Sequence, residues 1–116
     1  MIEIIHNPRC SKSRQALELL KTSGIDFKIR LYLQDKLSSS EILEICEKLD
    51  ITPSELLRKK ESKVVDFLKG NDEKSISDEE ALKIMINYPK TIERPIVING
   101  DVAKIGRPPE SVLEIL

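Results

Sequence analysis

The spacing of apolar positions changes repeatedly along this chain, and each change marks an element. Ile2, Ile4 and Ile5 form a short apolar run of the kind a buried strand makes. From Ser11 to Ser23 the spacing becomes helical, with Ala16, Leu17, Leu19 and Leu20 on the inner side. Gly24 stands where a left-handed C-cap is expected. Phe27, Ile29, Leu31 and Leu33 then alternate with Lys28 and Arg30, which predicts a half-buried strand over 27–33. A strand, a helix and a second strand within about thirty residues imply a parallel pair joined by a right-handed crossover.

The middle of the chain reads differently. Ser38-Ser39-Ser40-Glu41, Thr52-Pro53-Ser54-Glu55 and Ser77-Asp78-Glu79-Glu80 each match a capping-box start, a hydroxyl residue followed three positions later by Glu. Pro53 also suits a first helical position. Helices are expected near 39–49, 53–60 and 78–87, with a shorter one near 63–69 ended by Gly70-Asn71. The last part returns to strand. Pro95-Ile96-Val97-Ile98 and Val102-Ala103-Lys104-Ile105 flank Asn99-Gly100, a strong hairpin signal, and a final helix is expected from Glu110 to Leu116. The order βαβ, helices, ββα is that of an α/β, thioredoxin-like fold. It predicts a single domain, 1–116, with a mixed four-stranded sheet and a helical insertion over about 36–90.

Composition narrows the function classes. The chain has 116 residues, 34% of them charged, and a net charge of −1. Such a balance, with two Tyr, two Phe and no Trp, argues against nucleic-acid binding. No apolar run approaches membrane-spanning length. Two widely separated cysteines do not form a secreted disulfide framework, so a cytoplasmic protein with reduced thiols is expected. One histidine and two distant cysteines offer no ligand cluster, so no metal and no bound cofactor is expected.

The candidate chemistry lies in His6-Asn7-Pro8-Arg9-Cys10-Ser11-Lys12-Ser13-Arg14. Cys10 sits among cations at a predicted helix N-terminus, and both features lower a thiol pKa and favour a bound anion. Ser13 completes Cys-x-x-Ser, so no disulfide forms within the turn. Its hydroxyl suits either a hydrogen bond to the thiolate or the backbone of the first helical turn. His6 either supports the thiolate as a cation or orients the loop. Arg14 either contacts an anion or is solvated. Cys46 shares the helical spacing of Ile42, Ile45 and Leu49 and reads as a core residue, not as a second reactive thiol.

A two-residue turn at Asn99-Gly100 would set Arg94 opposite Ile105 and diagonal to Arg107, at about 7–8 Å. The pair then either clamps a tetrahedral oxyanion or is solvated beside Glu93 and Glu110. Pro95 occupies the place where a thioredoxin-like fold normally carries a cis-proline facing the active cysteine.

Four blocks in order, His6–Arg14, Leu56-Leu57-Arg58-Lys59, Glu93-Arg94-Pro95-Ile96-Val97 and Gly106-Arg107-Pro108-Pro109-Glu110, resemble the glutaredoxin-coupled arsenate reductase family. The resemblance runs from residue 4 to the C-terminus. It implies Cys10 as nucleophile, His6 and Ser13 as supports of the thiolate, and Arg58, Arg94 and Arg107 as ligands of arsenate. It also implies glutathione as co-substrate and glutaredoxin as partner. Two neighbouring readings share this fold. An Spx-type transcriptional regulator that binds RNA polymerase often carries Cys-x-x-Cys, which Ser13 breaks. A general thiol oxidoreductase would need Cys10 but not the three arginines.

Overall fold

The computed structural model describes residues 2–58, 60–61, 64–65 and 76–116. They divide into two compact units, one of residues 1–35 with 94–116, the other Lys36–Glu93. In the first unit, strand β1 (Ile2–Ile5) leads into helix α1 (Ser11–Ser23) and strand β2 (Phe27–Arg30). The hairpin β3 (Ile96–Asn99) and β4 (Val102–Ile105) completes a sheet in the order β2-β1-β3-β4. β1 runs parallel to β2 and antiparallel to β3, which pairs antiparallel with β4. This is the mixed thioredoxin-like sheet predicted from the element order.

β1 is central, and Ile4 and Ile5 are both buried although they point to opposite faces. That explains an almost unbroken apolar run in place of alternation. One core joins Ile2, Ile4 and Val97 of the sheet to Ala16 and Leu20 of α1 and Val112 of the C-terminal segment. Gly24, at φ 75, closes α1 as its sequence position predicted.

Three details differ from expectation in this unit. β2 ends at Arg30, not Leu33, because Gln34 and Asp35 both donate their amides to the Leu31 carbonyl and turn the chain. Arg30 Nε meets Asp35 Oδ2 at 2.9 Å across that turn. As an edge strand β2 is covered less than its alternation suggested, and Ile29 is 48% exposed. The hairpin turns one residue later than expected. Asn99 pairs with Val102, so Gly100-Asp101 forms the turn, and Gly100 takes the positive φ of 63 that its first position requires. The C-terminal segment Pro109–Ile115 is 3₁₀-helical, not α-helical. It follows a cis Arg107-Pro108 bond, and its last amide bonds only three residues back, Leu116 to Leu113.

The second unit holds helices α2 (Ser39–Leu49), α3 (Pro53–Leu56) and α4 (Asp78–Asn87). Ser38 with Glu41 and Thr52 with Glu55 form complete capping boxes. At α4, Ser77 accepts the Glu80 amide and donates to Glu80 Oε1, so the reciprocal bond is made to the hydroxyl. α3 is shorter than the predicted 53–60. Leu57 leaves the helix to bridge Ile92, and the Arg58 amide and Leu56 carbonyl pair with Thr91 and Glu93. Arg58 therefore lies beyond the end of α3, not on a helix. The helix expected near 63–69 lies, apart from residues 64 and 65, outside the described residues. Among the described residues no helix is long and apolar enough to cross a membrane.

Candidate active site

The segment between β1 and α1 is a turn built by its own side chains. The Cys10 amide donates to the Asn7 carbonyl at 3.0 Å, and the Arg9 amide donates to Asn7 Oδ1 at 3.0 Å. Asn at the first position and Pro8 at the second are what such a turn favours. It delivers Cys10 as the N-cap of α1, with extended backbone at φ −94 and ψ 122, and its carbonyl accepts the Arg14 amide at 3.0 Å. The thiol therefore stands at the positive end of a 13-residue helix.

Burial of the Cys10 thiol disfavours its charged form. The Ser13 amide, the Arg94 guanidinium, the Lys12 amide and the Arg107 guanidinium together outweigh that effect, and the pKa falls below the ordinary thiol value. The thiol makes no capping hydrogen bond of standard geometry, so the two amides act mainly as dipoles aimed at it. Arg107 Nη2 lies 4.0 Å from Cys10 Sγ.

Ser13 works from the buried side. Its Oγ accepts the Asn7 amide at 3.0 Å and sits 2.6 Å from His6 Nδ1. Because that oxygen already accepts, its own proton suits Nδ1 of a neutral ring. Burial, followed by the charges of Lys21 and Arg14, holds His6 below its ordinary pKa. An uncharged His6 supports the loop-orienting role of the two that its position left open. The Ser13 hydroxyl is likewise engaged with His6 and Asn7, while its amide faces the thiol. Arg14 Nη1 donates to the Pro8 carbonyl at 2.9 Å.

Arg94 and Arg107 meet at the open end of the hairpin, in a register other than the one the hairpin arithmetic implied. The ladder ends at Ile96 and Ile105, and the Arg107 amide turns back to the Ile105 carbonyl at 2.9 Å, so the diagonal placement counted from a turn at Asn99-Gly100 does not hold. The Gly106 amide donates to the Pro95 carbonyl at 2.9 Å, and Arg107 Nε donates to the Arg94 carbonyl at 2.9 Å. The Arg94-Pro95 bond is cis, as expected at this place in the fold. Sequence reasoning passed over Gly106. A Cβ there would meet Pro95 Cγ at 2.8 Å and Val112 Cγ1 at 3.3 Å, so only glycine lets these segments approach. The Gly-Arg-Pro-Pro run was the available signal.

Within the helical unit, Arg58 Nη1 donates to the Lys90 carbonyl at 2.7 Å, and its amide to Thr91 at 2.7 Å. Cys46 is buried in α2. Burial, then Asp78 and Glu55, push its thiol up to about 11.

A thioredoxin-like sheet carrying one activated cysteine at the N-terminus of its first helix defines a class of thiol-dependent proteins. Residues 5–115 match the ArsC family, and the chain belongs to it. An arsenate reductase of Haemophilus influenzae is 47% identical over 113 residues, covering 97% of each chain. The uncharacterized protein YfgD of Escherichia coli is 40% identical over 116 residues, 99% of this chain and 96% of its own. Among solved structures, an arsenate reductase from Vibrio cholerae superposes with a TM-score of 0.90 at 39% identity, covering 99% of this chain and 97% of that one.

Proposed function

We propose that this protein reduces arsenate to arsenite in the cytoplasm, with Cys10 as nucleophile and glutathione with glutaredoxin as reductant. The observation that carries the reading is the lowered Cys10 pKa beside Arg94 and Arg107, with Arg107 Nη2 4.0 Å from the sulfur. A thiolate and an oxyanion repel each other, and two guanidinium groups offset that repulsion while offering forked contacts to tetrahedral oxygen. The family resemblance implies Arg58 as a further ligand of arsenate.

The Cys10 thiolate attacks arsenic(V), an S–As bond forms, and an oxygen leaves as hydroxide or water. A glutathione thiolate then attacks the Cys10 sulfur. The S–As bond breaks with its electron pair remaining on arsenic, which departs as arsenite. The two sulfurs are left as a mixed disulfide, oxidised by the same two electrons. A glutaredoxin thiol attacks the glutathione sulfur of that disulfide and releases Cys10 as thiolate. Cys46, buried and held protonated, is unsuited to resolve the intermediate, which is why the second thiol comes from outside.

The test is arsenate-dependent NADPH consumption in an assay coupled through glutathione, glutathione reductase and glutaredoxin. Turnover well above a Cys10→Ser control is expected, and turnover equal to that control overturns the reading. Arg94→Lys keeps the charge but loses the fork, so it should raise KM for arsenate. Full activity in that variant would undercut the forked contact, and exchange of glutathione mixed disulfides without arsenate turnover would favour a general thiol oxidoreductase. Specific capture of RNA polymerase without turnover would favour an Spx-type regulator.

A further inference from the structure

Arg14 was left between two roles by the sequence, anion contact or solvation, and the structure gives it a third. Its Nη1 donates to the Pro8 carbonyl at 2.9 Å. That carbonyl is one end of the Pro8–Arg9 peptide, the central peptide of the turn that carries Cys10 to its cap. The other end, the Arg9 amide, donates to Asn7 Oδ1 at 3.0 Å. Both ends of one peptide plane are thus held by side chains, one from the turn itself and one from the first turn of α1.

This matters because the central peptide is the soft element of a four-residue turn. Its rotation interconverts the two common turn types and swings the carbonyl of the second residue to the opposite side. Arg9 does not take a positive φ, which agrees with the unrotated form. The Cys10 amide closes the turn on the Asn7 carbonyl, and the Cys10 carbonyl accepts the Arg14 amide. Arg14 therefore grips the segment on both sides of Cys10, by its backbone after the cysteine and by its side chain before it. Ser13 holds the same segment from the buried side through the Asn7 amide.

We infer that Arg14 is a positioning residue, which locks the Pro8–Arg9 peptide and so fixes Cys10 at the N-terminus of α1, where the helix amides and arginines stabilise its thiolate. Its action runs through the turn. The charges that lower the Cys10 pKa are those of Arg94 and Arg107, whereas Arg14 bears electrostatically on His6. The assignment rests on Cys10 being the reactive thiol and not on arsenate being its substrate, and the two fail separately. Alkylation reads the thiol directly, while coupled turnover reads the substrate.

The test compares Arg14→Met, which keeps the aliphatic stem but no donor, with Arg14→Lys, which restores a cationic donor. Iodoacetamide alkylation of Cys10 is followed against pH by mass spectrometry, and the Arg9 and Cys10 amides by NMR relaxation dispersion. In Arg14→Met the alkylation midpoint should move up in pH. The rate below that midpoint should fall about three- to fivefold, the net worth of one ordinary solvent-exposed hydrogen bond, and the turn amides should gain microsecond–millisecond exchange. Arg14→Lys should recover most of the rate. In turnover the Met variant should lose kcat with little change in KM, since Arg14 is not assigned to the anion. An unchanged alkylation profile overturns the assignment. So does a loss that disappears at high salt, the mark of a through-space charge effect, or a change confined to KM.

Discussion

Cys10 and Cys46 are the same side chain in opposite settings. Cys10 caps the N-terminus of α1 and is partly exposed, with two amides and two guanidinium groups bearing on it. Cys46 lies in the last turn of α2, where the helix ends in a Schellman pattern. The Asp50 amide there bonds to the Glu47 carbonyl, and the Ile51 amide to the Cys46 carbonyl. Its neighbours Asp78 and Glu55 are anionic, and the helix dipole has the same sign as they do. One thiol is lowered, the other raised to about 11. Helix end, partner charge and burial decide whether a cysteine is chemistry or packing, and here all three point the same way at Cys46. At Cys10 burial opposes, and dipoles and charges overcome it.

The largest effect that can break this comparison is on turnover. Cys10→Ser should cost on the order of a thousandfold or more in kcat, measured in the coupled assay, because the nucleophile itself is lost. Cys46→Ala should leave kcat unchanged, and an equal loss from both substitutions would end the distinction. Next, Arg107→Gln should raise the Cys10 alkylation midpoint and lower kcat/KM for arsenate by about a hundredfold, as removal of one preorganised charge donor does. A third effect concerns the wall of the Cys10 site. Gly106→Ala should cost about 1–3 kcal/mol in urea unfolding, because Pro95 and Val112 must give way.

The smallest effect sharpens the Cys46 side. With its folded pKa at about 11 against an ordinary 9.0, Cys46 keeps its proton where the unfolded thiol loses it. The unfolded state then binds fewer protons, so this contribution is fully present below pH 9.0 and is lost as pH rises through about 11. The wild-type protein should lose stability more steeply than Cys46→Ala over that window in denaturant titrations. Parallel curves would show that the thiol is not held protonated by the fold.

Much of this was legible residue by residue. Three hydroxyl–Glu spacings marked helix starts, and Ser38, Thr52 and Ser77 each cap one, because capping is a contact across three residues. Gly24 ended α1 for the same local reason. Asp50 ended α2 at φ 58 with no glycine to announce it. The hairpin was visible but its register was not. Asn99-Gly100 and Gly100-Asp101 are both acceptable turns, and pairing of β3 with β1 as well as β4 chose between them. That one-residue difference undid the diagonal placement of Arg94 and Arg107, which meet instead through the Arg107 side chain and the Arg94 carbonyl.

By itself, then, the sequence determined the element order, the helix caps and a cysteine placed among cations ahead of a helix, since all of these depend on neighbours along the chain. Only tertiary structure decided what those groups meet. It gave the Ser13 hydroxyl to His6 and Asn7, turned Arg14 back onto Pro8, set Arg107 near Cys10 and took Arg58 off its helix. A long side chain reaches whatever acceptor the fold brings near, and burial and electrostatic fields are sums over residues far apart in sequence. The reactivity of Cys10 is such a sum.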